Sequence, residues 1–145
     1  MSGELIVDLD AYRQNLTALR AYAPHAQQMA VVKANAYGHG MPQVARAARS
    51  AGVDWLGVAS ADEALTLRAT GDTGPLMCWL MTPGAPYAEL IDNDITLTAS
   101  GADQLKQISA AGDRRPTGHL KVDTGLSRNG ALGSQWTELV SAAAT

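Results

Sequence analysis

The stretch MAVVKANAYGHGMPQVARAARSAGVDWLGVA, residues 29–59, decides the fold, because it contains a strand, a helix and a second strand in succession. MAVVK (29–33) and WLGVA (55–59) are short and apolar, which is typical of strands buried on both faces of a parallel sheet. Between them, MPQVARAARSAG (41–52) places Pro42 in the first turn of a helix, where proline is well tolerated. The stretch is therefore predicted to form one βαβ unit.

The same alternation extends over the whole chain. Corresponding positions of the five predicted strands, Lys33, Gly57, Trp79, Leu97 and Lys121, are spaced by 24, 22, 18 and 24 residues. This rhythm predicts a parallel sheet with right-handed crossovers. The remaining predicted strands are PLMCWL (75–80), ITLTA (95–99) and HLKVD (119–123), and the remaining predicted helices span 8–23, 61–70, 86–93, 100–112 and 134–144.

Two of these helices begin with a recognisable capping signal. Asp8 or Asp10 precedes the apolar stripe of the first helix and is expected to cap it. The sequence SADE (60–63) matches a capping box that opens the helix over residues 61–70.

Two α/β architectures accommodate five βα units: an open doubly wound sheet, or part of a closed (β/α)8 barrel of the TIM type. The strand pattern alone does not choose between them. Both place the working residues at the carboxyl ends of the strands, where the βα loops gather. Neither GxGxxG nor GxxxxGK[ST] occurs, which argues against dinucleotide and nucleoside triphosphate sites.

Composition narrows the classes of partner. At 145 residues and 46% hydrophobic, the chain is long enough for one globular domain. The net charge of -3 and the scattered basic residues argue against nucleic acid as a partner. The sequence shows neither a long apolar segment nor a basic leader followed by an apolar run, so we expect no membrane partner and a cytoplasmic protein.

The cysteine and histidines do not indicate a metal site. Cys78 is the only cysteine and lies in an apolar run, so we expect a small buried thiol rather than a nucleophile. His25, His39 and His119 show no metal-ligand spacing, and we expect no metal.

Lys33 is the first candidate for chemistry. It closes a predicted strand and is followed by the loop-forming segment ANAYGHG (34–40), which would place its amine in the cleft above the sheet. Desolvation and neighbouring cations there favour the neutral amine, which can condense with a carbonyl group. The alternative is a surface lysine that happens to end a strand.

The residues after Lys33 fit an anion site or a tight turn. The phenol of Tyr37 could bind an anionic group such as phosphate, although a tyrosine alone is more often a packing residue. Gly38 and Gly40 allow unusual backbone angles or the close approach of a ligand. His39 between them is interpreted as loop structure.

A second group of charged residues lies in HLKVDTGLSRNG (119–130). Lys121 and Arg128 flank a turn-rich loop, and their like charges require compensation if the loop is partly buried. Asp123 can supply that charge, or Lys121 can be covalently neutralised. The fork of donors on Arg128 suits a phenolate or carboxylate, and the alternative is a solvated surface arginine.

Taken together, these segments resemble alanine racemase, a fold-type III pyridoxal-phosphate enzyme. The matching pieces are VDLDAYRQNLTALR (7–20), AVVKANAYGHG (30–40) and HLKVDTGLSRNG (119–130), in the family's order. The resemblance spans essentially the whole chain, but only the N-terminal part of the family's protein. It implies a partial (β/α)8 barrel with about five strands, without the later strands and the C-terminal β domain.

The resemblance also implies roles for individual residues. Lys33 matches the lysine that holds pyridoxal phosphate and acts as one of two bases. Tyr37 matches a tyrosine at the cofactor phosphate, and Arg128 matches an arginine that reaches the phenolic oxygen and lies near the substrate carboxylate. Lys121 aligns with a lysine that is carbamylated in some members. Trp79 is predicted to line the cofactor pocket, although a buried tryptophan explains its position equally well.

The family's activity is the interconversion of L-alanine and D-alanine for peptidoglycan by a homodimer, and the opposing catalytic tyrosine belongs to the β domain. We therefore expect a fragment that is inactive alone and marginally stable, with two unpaired sheet edges and an uncovered apolar interior. The alternatives are a broad-specificity amino-acid racemase of this fold, a non-catalytic pyridoxal-phosphate-binding homeostasis protein, and a doubly wound sheet that binds another small ligand.

Overall fold

A computed structural model of the chain describes residues 3–82 and 84–144. Strands and helices alternate along it, as the sequence predicts. The strands are β1 (Met29–Val31), β2 (Trp55–Val58), β3 (Leu76–Cys78), β4 (Ile95–Ala99) and β5 (Gly118–Leu120). The helical segments are α1 (Leu9–Tyr22), α2 (Lys33–Tyr37), α3 (Met41–Ser50), α4 (Ala61–Ala69), α5 (Tyr87–Asp92), α6 (Ala102–Ser109) and α7 (Gly133–Ala143).

The five strands form one parallel sheet in the order β1-β2-β3-β4-β5. Each strand lies beside the one that follows it in sequence, which is the arrangement of a barrel rather than of a doubly wound sheet. Within the described residues, β1 and β5 each pair on one side only, so the prediction of two open edges is confirmed.

The predicted helix starts are confirmed. The Asp8 carboxylate accepts from the backbone N–H groups of Asp10 and Ala11 and caps α1. Ser60 and Glu63 form the predicted capping box of α4. Such caps contribute on the order of 1 kcal/mol each.

The predicted strand ends were too long. β1 ends at Val31 rather than at Lys33, and β5 ends at Leu120 rather than at Asp123. The backbone N–H of Val32 still donates to Gly57 and that of Lys121 to Ala99, at 2.9 and 2.8 Å. The hydrogen-bond ladder of the sheet thus continues for one bond after each strand ends. The apolar character of the residues does not show where the backbone leaves the sheet.

The face of the sheet that meets the helices carries the core. Its strand residues and the leucines that cover them from the helices are almost completely inaccessible to solvent. These buried residues include Leu56, Val58, Leu76, Cys78 and Leu97 from the strands, and Leu67, Leu90 and Leu139 from α4, α5 and α7. Burial of each leucine contributes roughly 1.5–3 kcal/mol, so this layer is the main source of stability.

The opposite face of the sheet carries apolar residues together with Thr96, Thr98 and His119, and it is covered only in part. Met29 and Val31 of β1 remain 37% and 40% exposed. Trp55 of β2 and His119 of β5 meet edge to face, with ring centroids 6.4 Å apart. In a flat sheet, three strand spacings would separate their backbones by about 14 Å. The sheet therefore curves so that this face is concave, like the interior of a barrel.

The amino-terminal rim of the sheet is held by ion pairs. Asp72, between α4 and β3, accepts from Arg49 at 2.7 and 3.0 Å and from Arg68 at 3.0 Å. The three side chains are only 10–21% exposed. Burial lowers the pKa of Arg68 while Asp72 opposes this effect. Asp54 and Asp94, before β2 and β4, each pair with one arginine, Arg20 and Arg114, at more exposed positions.

The described part of the chain contains neither a membrane-spanning helix nor a cluster of metal ligands. No helix there is long and apolar enough to cross a membrane. No group of three or more histidine, cysteine or acidic side chains could hold a metal ion among those same residues.

Candidate functional site

Lys33 lies at the carboxyl end of β1, where the chain leaves the sheet. It is half-buried and follows Val32, which is fully buried in the core. Among residues 3–82 and 84–144, the Lys33 ammonium makes no ion pair. It makes a cation–π contact with the ring of Tyr37, with Nζ 5.8 Å from the ring centroid. The amine is therefore available for chemistry.

The segment that follows Lys33 is a left-handed turn, α2. Ala34, Asn35, Ala36 and Tyr37 have φ between 53° and 56°. Each such residue other than glycine costs about 1–2 kcal/mol relative to the right-handed form. Sequence analysis predicted a loop here, because four consecutive positive φ angles have no signature in residue type. Backbone strain of this kind is concentrated at functional sites.

Contacts on both sides hold the left-handed turn. The Asn35 side chain accepts from the Met41 backbone N–H at 2.8 Å, and Ala36 is buried. His39 places Nδ1 2.8 Å from the Ala36 carbonyl oxygen, which confirms its interpretation as loop structure. Gly38 and Gly40 have φ of 88° and 93°, so the prediction of unusual backbone angles is confirmed.

Glu63 is a contact of this turn that sequence analysis missed. Its Oε1 accepts from the Ala34 backbone N–H at 2.6 Å, and its Oε2 accepts from those of Ala59 and Ser60 at 2.9 and 3.2 Å. The capping box at 60–63 was visible in the sequence, but it does not reveal that the second oxygen reaches the loop after β1.

The strand register relates two predicted site residues to one face of the sheet. Val31, Gly57 and Met77 are in register and belong to the concave face. Trp79 follows Met77 by two positions, and Lys121 follows His119 of the same face by two positions. Because side chains alternate along a strand, Trp79 and Lys121 share the concave face at its carboxyl rim. Lys33 lies at the same rim, but Val32 (φ -118°, ψ 16°) has already left the extended conformation, so alternation does not assign Lys33 to a face.

Trp79 lies against the floor of this face. A Cβ atom at Gly57 would lie 2.6 Å from Cζ3 of Trp79 and 2.7 Å from Sδ of Met29. The glycine is therefore needed for the Trp79 ring and the Met29 side chain to meet over β2. Trp79 packs within the concave face, and its predicted role in lining a cofactor pocket stays a prediction.

The loop after β5 carries Lys121, Asp123 and Arg128. Asp123 accepts from the backbone N–H groups of Gly125 and Ser127 at 2.8 and 3.0 Å, and these bonds hold the pKa of its carboxyl below the ordinary value of 3.8. Lys121 adds a weaker charge effect in the same direction. No salt bridge within 4.0 Å joins Lys121 to any described residue.

Arg128 is exposed at the tip of this loop. Its guanidinium has no hydrogen-bond partner in the described part of the chain. The neighbouring Asn129 accepts from the Ser100 hydroxyl at 2.6 Å, which ties the loop to the carboxyl end of β4. Lys121 and Arg128 therefore lie on the same rim as Lys33, and neither forms an ion pair with a described residue.

Cys78 is not part of the site. It is fully buried, and burial raises the pKa of its thiol to about 12. Its Sγ donates to the Ala59 carbonyl oxygen at 3.3 Å. The prediction of an inert buried thiol is confirmed.

Hollows lie at both edges of the sheet. A groove of about 540 Å³ lies along β1 and is bordered by Tyr37, His39 and the start of α1. A cavity of about 840 Å³ lies at the other edge, between β5, α6 and α7, and touches none of the predicted site residues. The chemistry of the donor set, rather than cavity size, identifies the candidate site.

The donor set suits a molecule that carries an aldehyde and anionic groups. A primary amine, a phenol and a guanidinium lie on one rim, and none of them is engaged by a carboxylate of the described residues. Pyridoxal phosphate presents an aldehyde, a phenolic oxygen and a phosphate, so the residues present fit this group.

The fold and the site define a segment of a parallel α/β barrel with a half-buried lysine directly after its first strand. The family described as "Alanine racemase, N-terminal domain" matches residues 7–145. The chain belongs to this family.

Individual relatives agree with this assignment. An alanine racemase from Salinispora tropica is 49% identical over 144 residues, which cover 97% of this chain and 38% of that protein. The crystal structure of alanine racemase from Streptomyces lavendulae superposes with a TM-score of 0.92 at 53% identity, over 94% of this chain and 37% of that one. This chain therefore spans less than two-fifths of the length of these two relatives.

A relative with another substrate name shares the fold. A histidine racemase from Leuconostoc mesenteroides superposes with a TM-score of 0.81 at 34% identity, over 94% of this chain and 37% of that one. The first five βα units are thus common to racemases named for different amino acids. The fold of this part does not by itself identify the side chain of a substrate.

Proposed function

We propose that residues 1–145 are the first five βα units of a pyridoxal-phosphate-binding (β/α)8 barrel, and that the complete enzyme interconverts L-alanine and D-alanine. The observation that carries this proposal is the position of Lys33. Lys33 follows the carboxyl end of β1, in a chain that belongs to the alanine racemase N-terminal domain family.

Each residue of the rim has a proposed task. Lys33 holds the cofactor through its amine, and Tyr37 donates a hydrogen bond to the phosphate. Arg128 donates to the phenolic oxygen and orients the substrate carboxylate. Trp79 lines the floor. These tasks are supported by the shared carboxyl rim and by the absence of ion pairs at Lys33 and Arg128 among the described residues.

Proton transfer is the central chemical step. When bound, pyridoxal phosphate supplies an electron sink for the negative charge that develops at the substrate Cα. The neutral amine of Lys33 accepts or returns the Cα proton on one face of the substrate. Racemisation needs a second proton donor on the opposite face, which we assign to the later strands, the β domain and the partner of a homodimer. We therefore propose that these 145 residues alone do not racemise alanine.

Lys121 is proposed to be carbamylated in the assembled site. The Lys121 ammonium first loses a proton, and the resulting amine forms a bond to the carbon of CO₂ and loses a second proton, so a cation becomes an anionic carbamate. Repulsion from Arg128 then becomes attraction. Intact-protein mass in bicarbonate buffer is expected to show one added CO₂ that is absent in Lys121→Ala. A mass without CO₂ in the assembled enzyme would overturn this assignment.

Cofactor capture tests the role of Lys33 directly. The chain is incubated with pyridoxal phosphate, reduced with borohydride and digested, and the modified lysine is identified by mass. We expect modification at Lys33 and a visible absorption band that is lost in Lys33→Ala. Lys106→Ala is the matched control, because Lys106 is exposed and contacts only Asp103 on α6. Equal labelling of Lys33 and Lys106 would contradict the proposal.

A chimera tests the substrate. Residues 1–145 replace the matching segment of the Salinispora tropica relative, and racemisation of alanine and of histidine is measured. Activity on alanine supports the proposed function. We propose in addition that the complete enzyme supplies D-alanine for peptidoglycan in the cytoplasm. The second candidate, a racemase of broader specificity, rests on the structural likeness to the histidine racemase and predicts comparable rates for both amino acids. Cofactor binding without racemisation would favour a homeostasis protein.

A further inference from the structure

The left-handed turn after Lys33 needs support from outside its own sequence. Four residues other than glycine adopt positive φ in succession, and local hydrogen bonds such as Ala36 N–H to Val32 (2.8 Å) and Gly38 N–H to Ala34 (3.1 Å) oppose the strain. Lys33 directly precedes the first of these four residues. Its side-chain direction therefore depends on whether the first left-handed residue, Ala34, is held in place.

The Glu63 carboxylate is the group that holds Ala34. The contact of 2.6 Å to the Ala34 N–H is shorter than the two contacts of the other oxygen, and it joins positions 29 residues apart in the chain. A hydrogen bond to a carboxylate is roughly twice as strong as one between neutral groups. Glu63 is half-buried, so water competes only partly for its oxygens.

The two oxygens of Glu63 have separable tasks. Oε2 accepts from Ala59 and Ser60 and completes the cap of α4, together with the Ser60 hydroxyl, which accepts from the Glu63 backbone N–H at 3.3 Å. Of the two oxygens, Oε2 alone completes the cap, so capping does not explain the contact that Oε1 makes outside the helix. Oε1 nevertheless contacts the turn that carries Lys33, and so couples the loop after β1 to the end of β2.

We propose that Glu63 is a positioning residue for Lys33: its carboxylate locks the left-handed turn and thereby fixes the direction in which the amine projects over the concave face. The proposal deepens the proposed function, because it rests on Lys33 as the amine that captures pyridoxal phosphate. It assigns to Glu63 no contact with the cofactor.

Three variants separate positioning from capping. Glu63→Gln keeps the shape but offers an oxygen acceptor on one side only. Glu63→Asp keeps the negative charge at the start of α4 but is one methylene too short to bridge both loops. Ser60→Ala weakens the cap of α4 and leaves the Glu63 contact with Ala34 intact.

Two measurements are made on each variant of the full chain. The first is the rate of pyridoxal phosphate capture at Lys33 divided by that at Lys106, both trapped with borohydride in the same sample. The second is hydrogen exchange at the Ala34 amide, which involves no cofactor. Thermal midpoints provide the correction for the folded fraction.

We expect Glu63→Gln and Glu63→Asp to lower the capture ratio about tenfold or more, as misplacement of a reacting group by an ångström can do. The same variants should accelerate exchange at Ala34, while Ser60→Ala should leave both readouts near the wild-type values despite its lower thermal midpoint. Equal effects of Ser60→Ala and Glu63→Gln would overturn the proposal, because capping alone would explain them.

The two proposals fail in different ways. If the wild-type chain does not capture pyridoxal phosphate preferentially at Lys33, the proposed function fails, and Ala34 exchange still decides whether Glu63 locks the turn. If the wild-type chain captures it and Glu63→Gln does so at the same corrected rate, the positioning role fails alone.

Discussion

The two rims of the sheet differ in how their charges are used. At the amino-terminal rim, Asp54, Asp72 and Asp94 precede successive strands, and each pairs with an arginine. At the carboxyl rim, Lys33, Lys121 and Arg128 form no ion pair with any residue between 3 and 82 or 84 and 144. The acidic residues of one rim are paired within the described fold, and the three cations of the other rim are not.

This division teaches that stability and chemistry are separated along the strand direction. Parallel barrels place active sites at the carboxyl face, whereas the opposite face contributes stability. The carboxyl rim also carries the strained turn after Lys33, so its cost is met by interactions elsewhere. Substitutions at the two rims should therefore affect different measurements.

The largest stability loss is expected at Asp72. Asp72→Ala leaves the guanidiniums of Arg49 and Arg68 largely buried without their shared carboxylate, which should destabilise the fold by about 3 kcal/mol or more. Urea unfolding measures this loss. Asp103→Ala is the control, because its pair with Lys106 is 92% and 70% exposed and should contribute less than about 0.5 kcal/mol. Similar losses in both variants would remove the distinction between a structural rim and an ordinary surface.

A smaller loss of stability is expected from a substitution on the concave face, between the two rims. Gly57→Ala places a Cβ atom 2.6 Å from the Trp79 ring and 2.7 Å from the Met29 sulfur, so one of them must move, at a cost of roughly 1–3 kcal/mol. Thermal unfolding and tryptophan fluorescence report the change. Gly112→Ala, with no atom within 4 Å of its added Cβ, should unfold like the wild type. An unchanged Gly57→Ala variant would contradict the packing described for Trp79.

The carboxyl rim should tolerate loss of its charge. Arg128→Ala removes an exposed side chain without a hydrogen-bond partner among the described residues, so stability should change by less than about 0.5 kcal/mol. The dissociation constant of pyridoxal phosphate should rise if this cation binds the ligand. Arg46→Ala, an exposed arginine on α3, serves as a control for charge. A large stability loss in Arg128→Ala would show that this rim is structural as well.

The smallest effect is a local one at Asp123. Its pKa is lowered in the fold by the N–H groups of Gly125 and Ser127, so its contribution is complete above the ordinary value of 3.8 and is lost as pH falls through the lower folded value. Amide resonances of Gly125 and Ser127 should be constant from neutral pH to about pH 4 and shift below it. Asp123→Asn should abolish that shift. A transition near neutral pH would point to another group.

Most of the fold was predictable from the sequence. The spacing of apolar strands, Pro42 and the 60–63 capping box follow from local backbone preferences, and these were confirmed. The choice of a barrel over an open sheet did not follow from strand pattern. It depends on strand order and on the contact of Trp55 with His119, both of which are long-range.

The residues of the candidate site were predictable from the sequence, but the backbone conformation that positions them was not. Lys33, Tyr37, Lys121 and Arg128 were selected by residue type and by resemblance. The left-handed turn and its contact with Glu63 were not, because handedness is imposed by tertiary contacts and Ala34 gives no local sign of it.

The tie between Glu63 and Ala34 also constrains the order of events during synthesis. Residues 33–37 leave the ribosome well before the residue that stabilises their backbone. A nascent chain that ends before α4 should therefore sample ordinary right-handed or extended conformations at these positions, with the amine pointing in no fixed direction. On the proposed role of Glu63, the Lys33 amine acquires a fixed direction only when the second βα unit has emerged and docked.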